Sequence, residues 1–175
     1  MDTLSTLRFD NTYRRLPTAF YVPQAPTPVP QPYLVSFNAD AAALLDLPPE
    51  VVTHADFVPY CSGAALFPDA QPLAMLYAGH QFGHYVPQLG DGRAVLLGEV
   101  RNRRGEKWDL HLKGAGPTPF SRSGDGRAVL RSTIESVSIH RLLQSRVQKW
   151  ISVSATSLGR GTIQSFLAGN CKTNV

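Results

Sequence analysis

Residues 90–113 read Gly90-Asp91-Gly92-Arg93-Ala94-Val95-Leu96-Leu97-Gly98-Glu99-Val100, then a polar stretch from Arg101 to Lys107, then Trp108-Asp109-Leu110-His111-Leu112-Lys113. The first block is a glycine turn followed by the unbroken apolar run of a buried strand. The polar stretch holds Gly105 and suits a hairpin connection. The last block alternates apolar and polar residues, the period-2 signature of a half-buried strand; on this reading His111 is simply one face of that strand. A loop rich in Gly and Pro follows, from Gly114 to Gly126. From Arg127 the spacing of Leu130, Ile134 and Val137 predicts a helix.

Turn, strand, hairpin, strand ending in lysine, loop and helix is the order of a protein-kinase N-lobe. There the turn covers phosphates, the lysine pairs with them, and a glutamate on the helix holds the lysine. The usual GxGxxGxV and VAIK strings are absent here. The predicted fold is α+β: a small antiparallel sheet with a helix packed on it, a kinase-like N-lobe preceded by a proline-rich arm. That arm covers residues 1–36, where Pro17, Pro23, Pro26, Pro28, Pro30 and Pro32 crowd together and favour extended backbone. A short helix is predicted from Asn38 or Asp40 through Leu47, capped by Asn38 and stopped by Pro48-Pro49. Leu73 to Tyr77 is read as a second short helix that breaks at Gly79. Nothing firm is placed between Val51 and Pro72.

The heptapeptide beginning at Gly90 recurs as Gly124-Asp125-Gly126-Arg127-Ala128-Val129-Leu130, 34 positions later. Glycines on either side of one residue let the backbone reach φ > 0 and approach a ligand closely. Successive N–H groups in such a turn form a concave anion site, and the arginine that follows offers a planar fork for phosphate oxygens. If the second copy opens a helix, that helix adds the positive end of its dipole. The two turns and Lys113 together could hold a polyphosphate from several sides. Singly, each is also ordinary: a Gly-Asp-Gly turn, a solvated arginine, or a lysine on the exposed face of a strand.

Composition bounds the alternatives. The 175 residues are 43% apolar and 17% charged, enough for one domain with a real core. The formal net charge is +4, and the only basic cluster, Arg101, Arg103, Arg104 and Lys107, lies in the hairpin, so nucleic-acid binding is disfavoured. Cys61 and Cys171 form no CxxC pair, which fits a reduced, cytoplasmic protein. Met1 to Asp10 has no basic-then-apolar signal pattern, and no window approaches a membrane span. His80 and His84 have helical ligand spacing but stand beside Gly79 and Gly83, without HExxH or a cysteine pair; a metal site there is disfavoured. Ser121 and Ser123 lie in no GxSxG elbow.

Longer strings resemble one family closely. Tyr77-Ala78-Gly79-His80-Gln81-Phe82-Gly83, Pro87-Gln88-Leu89 running into the first turn, Leu112-Lys113-Gly114-Ala115-Gly116, Thr118-Pro119-Phe120-Ser121-Arg122 and the second turn through Arg131-Ser132 are all similar to the selenoprotein-O family. Asn11-Thr12-Tyr13 and Leu16-Pro17 resemble its opening. The resemblance implies a kinase-like fold that binds ATP in a flipped orientation. It also implies transfer of AMP to Ser, Thr or Tyr of protein substrates with a divalent metal, Mg2+ or Mn2+. Gly90, Gly92 and Arg93 would contact phosphates, Lys113 would be the strand lysine, and Asp125 and Gly126 would form a second nucleotide-contacting turn.

The resemblance runs from about Phe9 to Ile134. In the family an Arg-Glu pair follows Arg131-Ser132, whereas this chain reads Thr133-Ile134-Glu135, with the glutamate one position early. A shift of one residue turns a helical side chain by about 100°. The sequence is therefore divided into residues 1–135, carrying the nucleotide-binding lobe, and an unrelated tail, 136–175, of frameshift or fusion character. The family's catalytic aspartate and its metal-binding Asn and Asp would belong to a second lobe, so no catalytic or metal residue is assigned here and little or no transfer activity is expected. A non-catalytic nucleotide-binding module and a poorly folded remnant are the two alternatives.

Overall fold

The computed structural model describes residues 4–129, 150–156 and 162–169. Its elements are β1 (Arg8–Phe9), β2 (Tyr21–Pro23), β3 (Tyr33–Ser36), α1 (Ala39–Leu44), α2 (Phe57–Ser62), β4 (Leu73–Gln81), β5 (His84–Gly90), β6 (Ala94–Arg101), β7 (Lys107–Lys113), β8 (Ala128–Val129), β9 (Trp150–Thr156) and β10 (Thr162–Gly169). The sheet runs in the order β2-β4-β6-β7-β10-β9-β3, with β1 on β6, β5 on β4 and β8 on β10. Its pairings are antiparallel. The architecture is α+β, mostly a small antiparallel sheet with few helices.

The hairpin β6–β7 forms as its residues predict, with Ala94 opposite Lys113 and Arg101 opposite Lys107. A register shift between Leu96 and Gly98 resets the alternation of β6, so that Val95, Leu97 and Val100 all join one core. On one face Val95, Leu97, Val100, Trp108, Leu110 and Leu112 are buried in the main core with Phe57, Cys61 and Phe67. On the other, Leu96 packs with Tyr21 and Leu73. Apolar residues inserted at alternate positions of two adjacent strands bury about 1.5–3 kcal/mol each relative to exposure, and this ladder is what holds the lysine-bearing strand rigid.

The arm is extended only in part: three 3-10 turns, Leu4–Thr6, Tyr13–Arg15 and Thr18–Phe20, interrupt its first half, whereas the proline-crowded stretch from Tyr21 to Ser36 holds no helix. Strands β1, β2 and β3 lie within the arm as parts of the sheet. In α1 the Asn38 side chain accepts the N–H of Ala41, the predicted cap. Between Val51 and Pro72 lie a 3-10 turn at Pro49–Thr53 and α2, which ends at Gly63 with φ 72°.

Two expectations are corrected. Leu73–Tyr77 is not a helix but the first half of β4, because pairing with β2, β5 and β6 outweighs the helix propensity of Leu, Ala and Met. The hairpin β4–β5 turns at Phe82 and Gly83, both with positive φ, 53° and 79°. The second correction concerns the repeat. Ala128 and Val129 do not open a helix; they pair as β8 with Ile163 and Thr162 of β10. The remainder of the predicted helix, including Leu130, Ile134, Glu135 and Val137, lies outside the described residues, as does the question of how Glu135 faces Lys113.

Candidate functional site

Strand β7 presents Asp109, His111 and Lys113 on the face opposite its core residues, and all three line one open cleft of about 950 Å³. The first turn supplies Gly90, Gly92 and Arg93 to the same cleft, and the second supplies Asp125 and Gly126. The six residues singled out in the sequence, spread over 37 positions from 90 to 126, thus share one cavity wall. Tyr77 of β4 and Phe120 and Ser121 of the loop complete its rim.

The first turn is built by the side chains of Asp91, Thr118 and Ser121. The Asp91 carboxylate accepts the N–H of Met75 at 3.0 Å, and the Asp91 N–H donates to the Met75 carbonyl at 3.0 Å. The Thr118 hydroxyl donates to the Asp91 carbonyl at 2.6 Å, and the Ser121 hydroxyl to the Gly92 carbonyl at 2.5 Å. The loop after Lys113 is in this way laced onto the turn before Ala94. Gly114 N–H donates to the Arg93 carbonyl at 2.6 Å, closing the same join from the strand end.

This lacing changes the chemistry expected of the turns. The Asp91 and Gly92 amides are taken by Met75 and Gly90, and the Gly124 and Arg127 amides by Ser121 and the Asp125 carboxylate. The concave nest of free amides is therefore not what the first turn presents; its side chains, Arg93 above all, face the cleft. Nor does the first turn need positive φ, since among its glycines neither Gly90 nor Gly92 has it. They are glycines for space: a Cβ on Gly90 would enter the Phe120 ring, and one on Gly92 would stand 2.9 Å from the Phe120 carbonyl oxygen. Only Gly126 combines φ 68° with a backbone contact, against the Gly116 carbonyl.

Arg93 is exposed, while Lys113 is half-buried. Burial and then the nearby Arg93 charge push the Lys113 ammonium below its ordinary pKa. Deeper in the cleft, burial and then the Glu99 charge raise the Asp109 carboxyl to about 6. Burial lowers His111, which is 9% exposed, to about 4. Asp91 is held up to about 6 by burial, against the pull of the Met75 N–H and Tyr77. Glu99 itself is anchored away from the cleft mouth: it accepts from the Thr12 hydroxyl at 2.7 Å and the Tyr13 N–H at 2.5 Å, and it pairs with Lys107. The strand period that marked Lys113 was the signal for Asp109 and His111 too; Asp91 gave none, because its partners are distant in sequence.

The two histidines near the hairpin tip do not converge. His80 stands opposite Tyr85 and His84 opposite Gln81, so adjacent pairs put the two imidazoles on opposite faces of the ribbon. Among the described residues no group of three or more His, Cys, Asp or Glu side chains is placed to hold a metal ion. No helix among them is long and apolar enough to cross a membrane.

The family model described as protein adenylyltransferase SelO matches residues 3–156. The chain belongs to the SelO family. It is 63% identical over 134 residues to the protein nucleotidyltransferase YdiU of Myxococcus xanthus, covering 77% of this chain and 28% of that protein. It is 58% identical over 134 residues to the YdiU of Thiobacillus denitrificans, with the same coverage. Against the YdiU of Rhizobium rhizogenes it is 62% identical over 122 residues, 70% of this chain and 24% of that one. The chain thus spans about a quarter of the length of the curated relatives it matches.

Proposed function

We propose that this chain forms the nucleotide cradle of a protein adenylyltransferase, in a kinase-like N-lobe, with ATP phosphates held between Arg93, Lys113 and the Asp125-Gly126 turn. One observation carries the reading: two copies of a Gly-Asp-Gly-Arg turn and a half-buried strand lysine, far apart in sequence, line a single cleft. A guanidinium and an ammonium whose pKa is pressed down by burial and mutual repulsion form a site that gains from an anion. Fixed by hydrogen bonds from the Thr118 and Ser121 hydroxyls and the Gly114 N–H to its backbone carbonyls, the wall needs little reorganisation to receive one.

With AMP as the transferred group, the acceptors would be Ser, Thr or Tyr hydroxyls of cytoplasmic proteins. The divalent metal of this chemistry, Mg2+ or Mn2+, is assigned to none of the described residues, which do not form a cluster for it. On the same reading the catalytic aspartate belongs to a further lobe, and these 175 residues on their own bind nucleotide without transferring AMP. Titration with ATP and Mg2+, alongside a protein-AMP transfer assay, tests both halves: binding without transfer is the expected result. Transfer by these 175 residues would refute the division of labour, and absence of binding would refute the cradle.

A further inference from the structure

The two Gly-Asp-Gly-Arg turns are identical in sequence through Leu96 and Leu130, yet their arginines are used differently. Arg93 is exposed at the cleft. Arg127 also borders the cleft, but its guanidinium is taken up by backbone carbonyls. One nitrogen donates to the Thr27 carbonyl at 2.8 Å and to the Gly114 carbonyl at 3.2 Å, and the other reaches the Pro28 carbonyl at 3.5 Å. It thereby joins three separate pieces: the proline-rich arm, the residue directly after Lys113, and the second turn. The same seam is fastened twice more. Thr27 N–H donates to the Ala115 carbonyl at 2.7 Å, and Gly116 N–H donates to the Gly126 carbonyl at 3.1 Å. Gly116, at φ 98°, leaves no room for a Cβ beside the Thr27 side chain.

We infer that Arg127 is a positioning residue rather than a phosphate ligand: it clamps the arm at Thr27–Pro28 against Gly114 and so sets the gap between Lys113 and the Asp125-Gly126 turn. The inference rests on the nucleotide reading above. The planar fork is what the task demands, because carbonyls on separate segments must be reached at once from one rigid group. A lysine keeps the charge but presents one nitrogen and cannot span them.

That difference gives the test. In the full chain, Arg127→Lys is expected to weaken ATP binding about tenfold, the loss of one to two charge-assisted hydrogen bonds, and to leave adenosine binding, read by competition, unchanged. Pro28→Gly, which loosens the arm where Arg127 grips it and does not itself line the cleft, is expected to weaken ATP in the same direction. Combined with Arg127→Lys it should add little. Unchanged ATP affinity in Arg127→Lys overturns the inference, as does an equal loss for ATP and adenosine, which would mark a general structural role. Should Arg127→Lys fail to fold, unchanged ATP affinity in Pro28→Gly overturns it. Wild-type chain that binds no ATP refutes the cradle instead, and binding lost in Lys113→Ala but intact in both other variants refutes only the clamp.

Discussion

The Arg93 carbonyl accepts the Gly114 N–H at 2.6 Å, so the residue that ends the first turn and the residue that follows Lys113 are fastened together by backbone alone. Their side-chain neighbours, one guanidinium and one ammonium, are thereby held close whether or not an anion is present. Arg93 lowers the Lys113 pKa, second to burial. In Arg93→Gln the Lys113 pKa, followed by NMR of the labelled ammonium or its adjacent carbon, should rise but stay below its ordinary value, because burial remains. A full return to the ordinary lysine value would mean that the repulsion, not burial, dominates.

The two turns should tolerate substitution differently. Gly126→Ala forces a left-handed residue and drives a Cβ into the Gly116 carbonyl. The expected loss is about 1–3 kcal/mol from the backbone alone, with more from the clash. Gly90→Ala meets the Phe120 ring, a side chain that can swing aside, so a smaller loss is expected. Denaturant melts of the two variants compare them directly, and a larger loss at Gly90 would contradict the packing described.

Asp91 and Asp109 both carry pKa values raised to about 6 from 3.8. As pH rises from about 4 to 6 the unfolded chain loses those protons while the folded chain keeps them, so each group costs stability over that window. His111, lowered to about 4 from 6.5, acts oppositely: as pH falls through the window the unfolded chain gains a proton that the folded chain refuses. Asp91→Asn keeps an acceptor for the Met75 N–H and removes one acidic contribution. Relative to wild type it should gain roughly 2 kcal/mol between pH 4 and 6.5 and then level off. A difference that does not change with pH would contradict the buried carboxyl.

Glu99 joins the opening segment to the sheet through Thr12, Tyr13 and Lys107, and it is 6% exposed. Glu99→Gln leaves the Lys107 ammonium, itself largely buried, without its counter-charge. Breaking such a pair on one side costs about 3–5 kcal/mol. The same variant also removes the charge that raises Asp109 and His111, so both pKa values should fall in its NMR titration.

What the sequence disclosed follows the range of the interactions involved. The strand pair β6–β7 and the Asn38 cap depend on neighbours a few residues away, and pattern sufficed for them. Leu73–Tyr77 has the composition of a helix and becomes the first half of β4 only through partners at Tyr21–Pro23 and the Leu76–Gly90 pairing across the hairpin. The six cleft residues could be named from two short strings. The use of each could not: Arg93 and Arg127 sit in identical heptapeptides, and only the arm, a hundred residues earlier, separates their roles. The glycines of the first turn were likewise recognised, but for backbone freedom when the actual demand is space beside Phe120.

On the proposed reading the first turn, Lys113 and the second turn hold one polyphosphate. Thermal stability of the chain with and without ATP and Mg2+, measured in wild type and Lys113→Ala, tests it most directly. At ATP about 100 times its dissociation constant, wild type should gain roughly 2.7 kcal/mol of stability, and the variant should not. A cooperative melt that ATP does not shift, or a shift that survives in Lys113→Ala, would contradict it.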